Sequence, residues 1–223
     1  MDILLNDFQD YSLWVVSKEH LSDVSRFILR VNHQVHLNSN IINYADLVKT
    51  KELDLKSFST SYFYAIKNRE QEIVGTIKAE KWDGKSKLPI EDDFDINVDD
   101  ILNRLDFKPN EIWHIGRFAI DQQKIRKDFL LRNNRITILK LLLTSVLQHV
   151  CMNSNNVYLA ESDKKLFDKL KLMGINSSQI GESKMYLGSE TVPIFNTAKG
   201  VEKFVNKHKH LCYSITQQEL YSA

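Results

Sequence analysis

The chain has 223 residues, and its hydrophobic share of 43% and charged share of 26% are ordinary for a globular protein. Thirty Lys and Arg against twenty-nine Asp and Glu leave a formal net charge of +1. A nearly neutral chain has no global field that attracts nucleic acid or an anionic membrane, so neither is expected as a partner. The length suits one well-filled core, and we expect a single domain over residues 1–223.

The start of the chain and its cysteines indicate the compartment. Residues 1–16 contain three aspartates and lack the basic start and apolar stretch of a secretory signal. No apolar run in the sequence reaches membrane-spanning length. Cys151 and Cys212 have neither metal-ligand spacing nor the density of a disulfide scaffold. We therefore expect a cytoplasmic protein without stable membrane insertion and without a metal site.

The first third of the chain carries helical and then strand patterns. Apolar residues recur three or four apart over Lys18–His36, which predicts the first substantial helix. The polar stretch that follows fits a short helix around Tyr44–Thr50. Tyr62–Lys67 and Glu72–Trp82 are rich in aromatic and β-branched residues and flank a charged turn, which predicts an antiparallel hairpin.

The middle of the chain contains the segment most typical of a strand. Residues 83–110 are acidic and are predicted to be an insertion between strands, with a short helix over Val98–Leu105. Glu111–Asp121 is almost continuously apolar, which predicts a strand buried on both faces at the centre of a sheet. Ile136–Val150 has too many leucines for a surface helix, so we expect it to lie against that sheet. Asn156–Glu161 is predicted to be the next strand.

The last third completes an α/β order. Asp163–Met173 is amphipathic and predicts a helix, Ser183–Leu187 and Thr191–Phe195 predict strands, and Gly200–His208 predicts a terminal helix. Hairpin, central strand, helix, strand, helix and strand in this order predict an α/β fold whose sheet is partly antiparallel and partly parallel.

A basic, amide-rich segment between the central strand and the following helix, Leu131–Thr137, is predicted to be a loop and is a candidate anion site. Free backbone N–H groups and the helix dipole favour an anion at a helix start. Two arginines of the segment could hold a phosphate through bidentate contacts. The alternative is a solvated charged loop. The candidate residues are Arg132, Asn133, Asn134, Arg135 and Ile136.

The sequence WHIGRFAID over Trp113–Asp121 resembles the strand signature of one branch of the GNAT acyltransferases. This branch contains autoinducer synthases and long-chain N-acyl amino acid synthases. Leu29–His36 resembles the end of a helix in that branch, and the acidic segment ending at Phe94–Ile96 is similar to its insertion before the strand. The resemblance spans roughly residues 20–160. It implies a GNAT-like α/β fold with a mixed, mostly antiparallel central sheet flanked by helices.

The resemblance also implies where the acyl donor binds. GNAT enzymes bind the donor through Arg/Gln-x-x-Gly-x-Gly/Ala, and Arg132–Thr137 occupies that place. Arg135 and Thr137 stand where the motif has small residues. The implied donor contacts are Ile120 and the candidate segment from Arg132 to Ile136. The implied donor is acyl-CoA or an acylated acyl carrier protein. A donor attached to a carrier protein would depend less on binding contacts from this segment.

His114 and Arg117 are the candidate catalytic residues in the strand. His114 stands where the branch usually has a glutamate, and a base that titrates near neutral pH suits the deprotonation of an amine. The alternative for His114 is a core histidine bonded to the backbone. GNAT folds characteristically have a bulge here, near Gly116. By resemblance, Arg117 is a structural or an acceptor-orienting cation, and a plain buried salt bridge is the alternative.

Other residues concern the leaving group and the partner. Many GNAT enzymes have a tyrosine that protonates the leaving thiolate, and the matching position here is Phe167, which is predicted to be core. Tyr158 and Tyr186 are candidate substitutes, with ordinary strand aromatics as the alternative. Two basic groups are candidate docking residues for an acidic carrier protein. They are Lys203–His210 and the set Lys124, Arg126 and Lys127.

The predicted function is N-acyl transfer from a thioester donor to an amine. The resemblance implies that the acyl group is a fatty acyl group and that the acceptor is an amino acid or a related small molecule. Two alternatives remain open at this stage. One is an acyl-homoserine-lactone synthase that uses S-adenosylmethionine. The other is a GNAT-fold module that binds an acyl carrier or a lipid without turnover.

Overall fold

The computed structural model describes residues 1–34, 43–186 and 188–212. The described chain divides into two compact units. The first unit contains residues 1–78 and 117–145 and the described residues from His208 onward, and the second contains residues 79–116 and 146–207. The single domain over the whole chain stays a prediction.

The elements alternate in the order expected of an α/β protein. In the described part of the chain there are nine strands and eight α-helices. The strands are β1 Ile3–Asp7, β2 Tyr11–Val15, β3 Ser61–Asn68, β4 Ile73–Lys81, β5 Ile112–Ile120, β6 Val157–Asp163, β7 Ser178–Gln179, β8 Lys184–Tyr186 and β9 Ser189–Thr197. The helices are α1 Leu21–Asn32, α2 Tyr44–Ser57, α3 Pro89–Phe94, α4 Val98–Leu102, α5 Gln122–Lys127, α6 Arg135–Val150, α7 Lys164–Leu172 and α8 Ala198–His208.

The first unit is built on antiparallel strands. β1 pairs with β2, and β2 pairs with β3 through partners such as Val15 and Tyr64. The apolar face of α1 is buried against these strands in one core cluster that includes Leu21, Phe27, Phe63 and Ala119. The sequence analysis missed β1 and β2, because their short segments alternate weakly between apolar and polar residues.

Two helices of the first unit differ in length from their predictions. α1 is shorter than the predicted Lys18–His36, since its first turn is a 3-10 turn over Lys18–His20. Residues 35 and 36 of that prediction lie outside the described residues. α2 is longer than predicted, and the side chain of Asn43 accepts a hydrogen bond from the backbone N–H of Ala45 at its start.

The second unit contains the parallel pairing of the fold. The first residues of β5 pair with β6 in parallel, from Ile112 opposite Val157 to Ile115 opposite Ala160. β9 then pairs antiparallel with β6, β7 and β8. The acidic segment before β5 forms α3 and α4, whose apolar residues pack with Leu159 of β6. The predicted mixed, mostly antiparallel sheet flanked by helices is confirmed.

Helix length and polarity bear on the membrane prediction. None of the helices in the described part of the chain combines the length and apolar character of a membrane span.

A buried carboxylate fixes the N-terminal hairpin of the first unit. Asp2 is 5% exposed, and its two oxygens accept hydrogen bonds from the backbone N–H of Ser17 at 2.9 Å and from Lys67 Nζ at 2.8 Å. His20 Nδ1 lies 2.8 Å from Oδ1 of the same carboxylate. Burial alone would raise the pKa of Asp2, but the bonds from Lys67, Ser17 and His20 outweigh it and lower the pKa to about 2.

Asp2→Asn should therefore destabilise the protein in a pH-dependent way. A lowered pKa adds stability that is fully present above the unfolded-state pKa near 3.8 and disappears as the pH falls toward 2. We expect the variant to lose about 2 kcal/mol of unfolding free energy at pH 7. Urea unfolding followed by circular dichroism at several pH values measures the difference. A loss that stays constant from pH 7 to pH 2 would contradict this assignment.

Candidate active site

His114 and Glu161 form a buried pair within the second unit. His114 lies on β5 opposite Leu159 of β6, and Glu161 is two residues further along β6, so the two side chains share one face. His114 Nε2 lies 2.9 Å from Glu161 Oε2, and the side chains are 5% and 9% exposed. His114 Nδ1 and Glu161 Oε1 have no hydrogen-bond partner among the described residues. The pair is thus half satisfied, and both unpaired atoms are buried.

Gly116 makes room for the imidazole of His114. A Cβ atom at position 116 would lie 3.2 Å from His114 Cε1 and 3.8 Å from Nδ1. A side chain at position 116 would therefore require the ring to shift by a few tenths of an ångström. Because residue 116 has no side chain, Nδ1 of His114 lies close to the backbone of β5.

Arg117 interrupts the extended conformation of β5. Its φ is 54°, in the left-handed region that a residue with a Cβ seldom adopts. A left-handed residue within a strand is typical of a β-bulge, which the resemblance predicted near Gly116. Thr76 Oγ1 of β4 donates a 2.9 Å hydrogen bond to the carbonyl oxygen of Arg117. A neighbouring side chain thus holds the distorted backbone.

The side chain of Arg117 is held by a buried carboxylate in the first unit. Its Nε donates to both oxygens of Asp54, at 2.9 and 3.2 Å. Asp54, on α2, is fully buried, and Lys78 Nζ lies 3.9 Å from its Oδ1. Arg117 itself is 26% exposed. The salt bridge that was one of the sequence-based alternatives is present.

The predicted donor segment is helical rather than a loop. Arg132–Asn134 form a 3-10 turn that leads directly into α6 at Arg135. Arg132 is exposed and stacks on the ring of Phe129 at 4.4 Å. Asn134 is occupied within the turn, since its Nδ2 donates to the carbonyl of Leu130.

Three of the five predicted donor contacts in this segment are open to a ligand. Arg132, Asn133 and Ile136 are exposed, and Asn134 and Arg135 are half-buried. The side chain of Ile120, at the end of β5, is only 7% exposed, so a donor could reach this residue mainly through its backbone.

One of the two candidate acids for the leaving group, Tyr158, is held within the core. Phe167 is core, at 1% exposure, as predicted. Tyr158 is 2% exposed, and its hydroxyl lies 2.7 Å from Ser177 Oγ. Burial raises the pKa of Tyr158 to about 12, which suits a structural aromatic. Tyr186 packs against the ring of Phe94 at 5.8 Å.

The cysteines lack the properties of nucleophiles. Burial raises the pKa of Cys151 to about 11, with a further contribution from the charge of Glu202. Burial likewise raises the pKa of Cys212 to about 11. Both thiols are therefore protonated near neutral pH. Within the described residues, no group of three or more His, Cys, Asp or Glu is arranged to hold a metal ion.

Glu161 and Asp54 are the residues that sequence reasoning missed. Glu161 was the last residue of the predicted strand Asn156–Glu161. The available signal was its position directly after the apolar run VYLA. Asp54 sits in a polar helix with several other acids, so nothing in the sequence distinguished it. Both residues acquire their roles only through pairing with a distant segment.

Comparison with known proteins identifies the fold. No family model and no curated protein matches the sequence. FeeM, an N-acyl amino acid synthase from uncultured soil microbes, matches with 14% identity over 90% of this chain and 97% of that chain, at a TM-score of 0.59. A GNAT-family acetyltransferase from Staphylococcus aureus Mu50 matches with 12% identity over 84% and 99%, at 0.52. BjaI, a CoA-dependent acyl-homoserine lactone synthase, matches with 12% identity over 87% and 88%, at 0.50.

These matches define the class of fold. The chain has the fold of the GNAT acyltransferases, as the strand motif predicted. At sequence identities of 12–14%, the matches show only the shared architecture. The reaction has to be argued from the residues of this chain.

Asp54→Asn tests whether the buried carboxylate holds Arg117. The substitution keeps the size of the side chain but leaves the guanidinium without its counter-charge, so we expect a loss of about 3 kcal/mol in unfolding free energy. Asp168→Asn is the matched control, because its pair with Lys164 is exposed and one helical turn apart. That control should change stability by less than about 0.5 kcal/mol. Equal losses in the two variants, measured by urea unfolding, would refute the role of Asp54.

Proposed function

We propose that the chain is an N-acyltransferase that moves an acyl group from a thioester donor to the amine of an amino acid or a related small molecule. The observation that carries the proposal is the buried His114–Glu161 pair on the central strands of a GNAT fold. The resemblance in the strand motif and the FeeM match support a fatty acyl group and an amino acid. Acyl transfer by such a fold requires a base for the amine.

His114 is the base in this proposal. An ionised carboxylate only accepts hydrogen bonds, so Glu161 holds the hydrogen on Nε2 and leaves the lone pair of His114 on Nδ1. Nδ1 takes a proton from the acceptor ammonium, and the freed amine attacks the thioester carbonyl. The nitrogen of the tetrahedral intermediate loses its second proton to solvent, and the intermediate collapses to the amide as the C–S bond breaks. The imidazolium then returns its proton to the leaving thiolate. The chemistry needs no covalent enzyme intermediate.

Backbone N–H groups near the bulge stabilise the negative charge that develops on the carbonyl oxygen in this proposal. A residue in a left-handed conformation within a strand releases local N–H groups from the regular ladder, and such donors stabilise negative charge on a carbonyl oxygen. We assign this role to the backbone at Gly116. The adjacent imidazole of His114 then places the base and the oxyanion donors beside the same stretch of backbone.

The donor is acyl-CoA or an acylated acyl carrier protein. The exposed guanidinium of Arg132 and the half-buried Arg135 at the start of α6 would contact the phosphate of the pantetheine arm. The surface of α5 adds Lys124, Arg126 and Lys127, which suit an acidic carrier protein. Carrier-protein binding and a cytoplasmic location are parts of the proposal that follow from charge and composition.

An acceptor and donor panel tests the reaction. We expect thiol release and an N-acyl product when the purified protein meets long-chain acyl-CoA or acyl carrier protein thioesters with individual amino acids. Product mass spectrometry identifies both substrates. A lactone formed only with S-adenosylmethionine would replace the proposal with an acyl-homoserine-lactone synthase, and donor binding without any turnover would replace it with a binding module.

His114→Gln tests the base. We expect the rate of acyl transfer at pH 7 to fall by roughly 100- to 10,000-fold, because general base catalysis contributes that range. The rate should fall less in Glu161→Gln, because the amide oxygen of glutamine can still accept a hydrogen bond from Nε2. His210→Ala, an exposed histidine outside the pair, is the control, and with acyl-CoA as the donor, where carrier docking plays no part, it should keep the wild-type rate. An unchanged rate in His114→Gln would remove His114 as the base.

A further inference from the structure

The segment that joins α5 to α6, residues 126–136, combines exposed apolar side chains with cations. We call this segment the α5–α6 turn. Phe129 is 71% exposed, Leu130 is 37% exposed and Ile136 is 66% exposed. They are three of the eleven large apolar side chains that are exposed in the described part of the chain, and they lie within eight positions. Single exposed apolar side chains are common, whereas a cluster of them marks a contact surface.

Hydrogen bonds within the turn hold these side chains outside the core. The carboxylate of Asp128 accepts hydrogen bonds from the backbone N–H groups of Leu130 at 2.8 Å and of Leu131 at 3.2 Å. Leu131 is fully buried and anchors the turn. Arg132 Cζ lies 4.4 Å from the centre of the Phe129 ring, so a cation and an exposed aromatic share one side of the turn. The exposure of Phe129 thus follows from a hydrogen-bonded local structure.

The same turn concentrates positive charge. It contains four Lys and Arg residues and one Asp, whereas the whole chain has a formal net charge of +1. Arg126 and Lys127 are exposed and have no ion-pair partner among the residues that the structure describes. The expectation that no anionic membrane is a partner came from the net charge of the chain, which conceals this local excess.

We propose that the α5–α6 turn binds the surface of an anionic lipid bilayer. Phe129 and Leu130 enter the boundary between headgroups and acyl chains, and Arg126 and Lys127 contact the lipid phosphates. Apolar side chains flanked by Lys and Arg are typical of segments that lie in a bilayer interface. Each cation adds attraction to an anionic surface, and burial of Phe129 adds hydrophobic stabilisation. The contact is peripheral, and the inference does not depend on the proposed reaction.

An acidic carrier protein is the other anionic partner considered for Arg126 and Lys127. Charge alone accounts for such docking and leaves the exposure of Phe129 and Leu130 unexplained. A specific protein contact also buries roughly 800 Å² on each partner. Insertion into a lipid interface needs only a few apolar side chains with cations beside them, which is what the turn presents.

Vesicle cosedimentation tests the proposal without any acyl donor or acceptor. The probes are vesicles of phosphatidylcholine alone and of phosphatidylcholine and phosphatidylglycerol in equal parts. We expect binding to the anionic vesicles that weakens with added salt, and binding to the neutral vesicles that is weaker by roughly 10-fold or more. Arg126→Gln with Lys127→Gln should weaken binding to anionic vesicles by roughly 10- to 30-fold. Phe129→Ser should weaken it by roughly 10-fold.

α2 supplies the matched controls. It exposes the aromatic Tyr44 and the cations Lys49 and Lys51, but its three lysines are balanced by three acidic residues. Lys49→Gln with Lys51→Gln changes the net charge as much as the double variant of the turn, and it should keep wild-type binding, as should Tyr44→Ser. Equal losses in the α2 variants and the turn variants overturn the proposal. Absence of binding to anionic vesicles also overturns it, whether or not an acidic carrier protein binds.

Tryptophan fluorescence reports on insertion of the turn. The emission of Phe129→Trp should move to shorter wavelength on anionic vesicles by more than that of the wild-type protein, because the indole leaves water. Tyr44→Trp should behave as the wild-type protein does. A shift confined to Tyr44→Trp, or no additional shift in either variant, overturns the insertion of Phe129 and leaves the proposed acyl transfer standing.

Discussion

The ion pair between Arg117 and Asp54 allows the central strand to contain a left-handed arginine. β5 is almost continuously apolar, and a cation within it, at φ 54°, is unfavourable in both conformation and solvation. The fully buried carboxylate of Asp54 offsets the charge, and Thr76 offsets the conformation by binding the displaced carbonyl. Because α2 supplies Asp54, this polar helix with one fully buried residue is tied to the geometry of the strand.

β5 also carries His114, whose carboxylate partner lies on a neighbouring strand rather than on a helix. His114 obtains its carboxylate from the parallel neighbour β6, through the register that sets it opposite Leu159. The branch that the motif resembles usually has a glutamate at position 114. Here the carboxylate stands on the adjacent strand, where Glu161 pairs with Nε2 of His114. The exchange places an imidazole, rather than a carboxylate, at the position of the proposed base.

The sequence predicted the elements better than the pairs between them. Glu111–Asp121 was predicted as a central strand and is observed as Ile112–Ile120, because continuous apolar character is a strong signal of double-sided burial. Glu161 and Asp54 were missed, since their significance depends on register and on long-range packing, which composition and spacing do not encode. The segment Arg132–Asn134 was predicted to lie in a loop and forms a 3-10 turn, because such a turn has almost no sequence signature.

The distribution of titratable groups favours direct transfer over a covalent enzyme intermediate. A nucleophilic thiol needs a lowered pKa, whereas burial raises the pKa of Cys151 and of Cys212 to about 11. A tyrosine acid needs a free hydroxyl, whereas that of Tyr158 is buried against Ser177. The thiolate released from a pantetheine thioester, with a pKa near 8.5 on the scale of cysteine, departs with little assistance. The demanding step is then deprotonation of the amine, and the buried histidine with a carboxylate on one ring nitrogen and none on the other is the group suited to it.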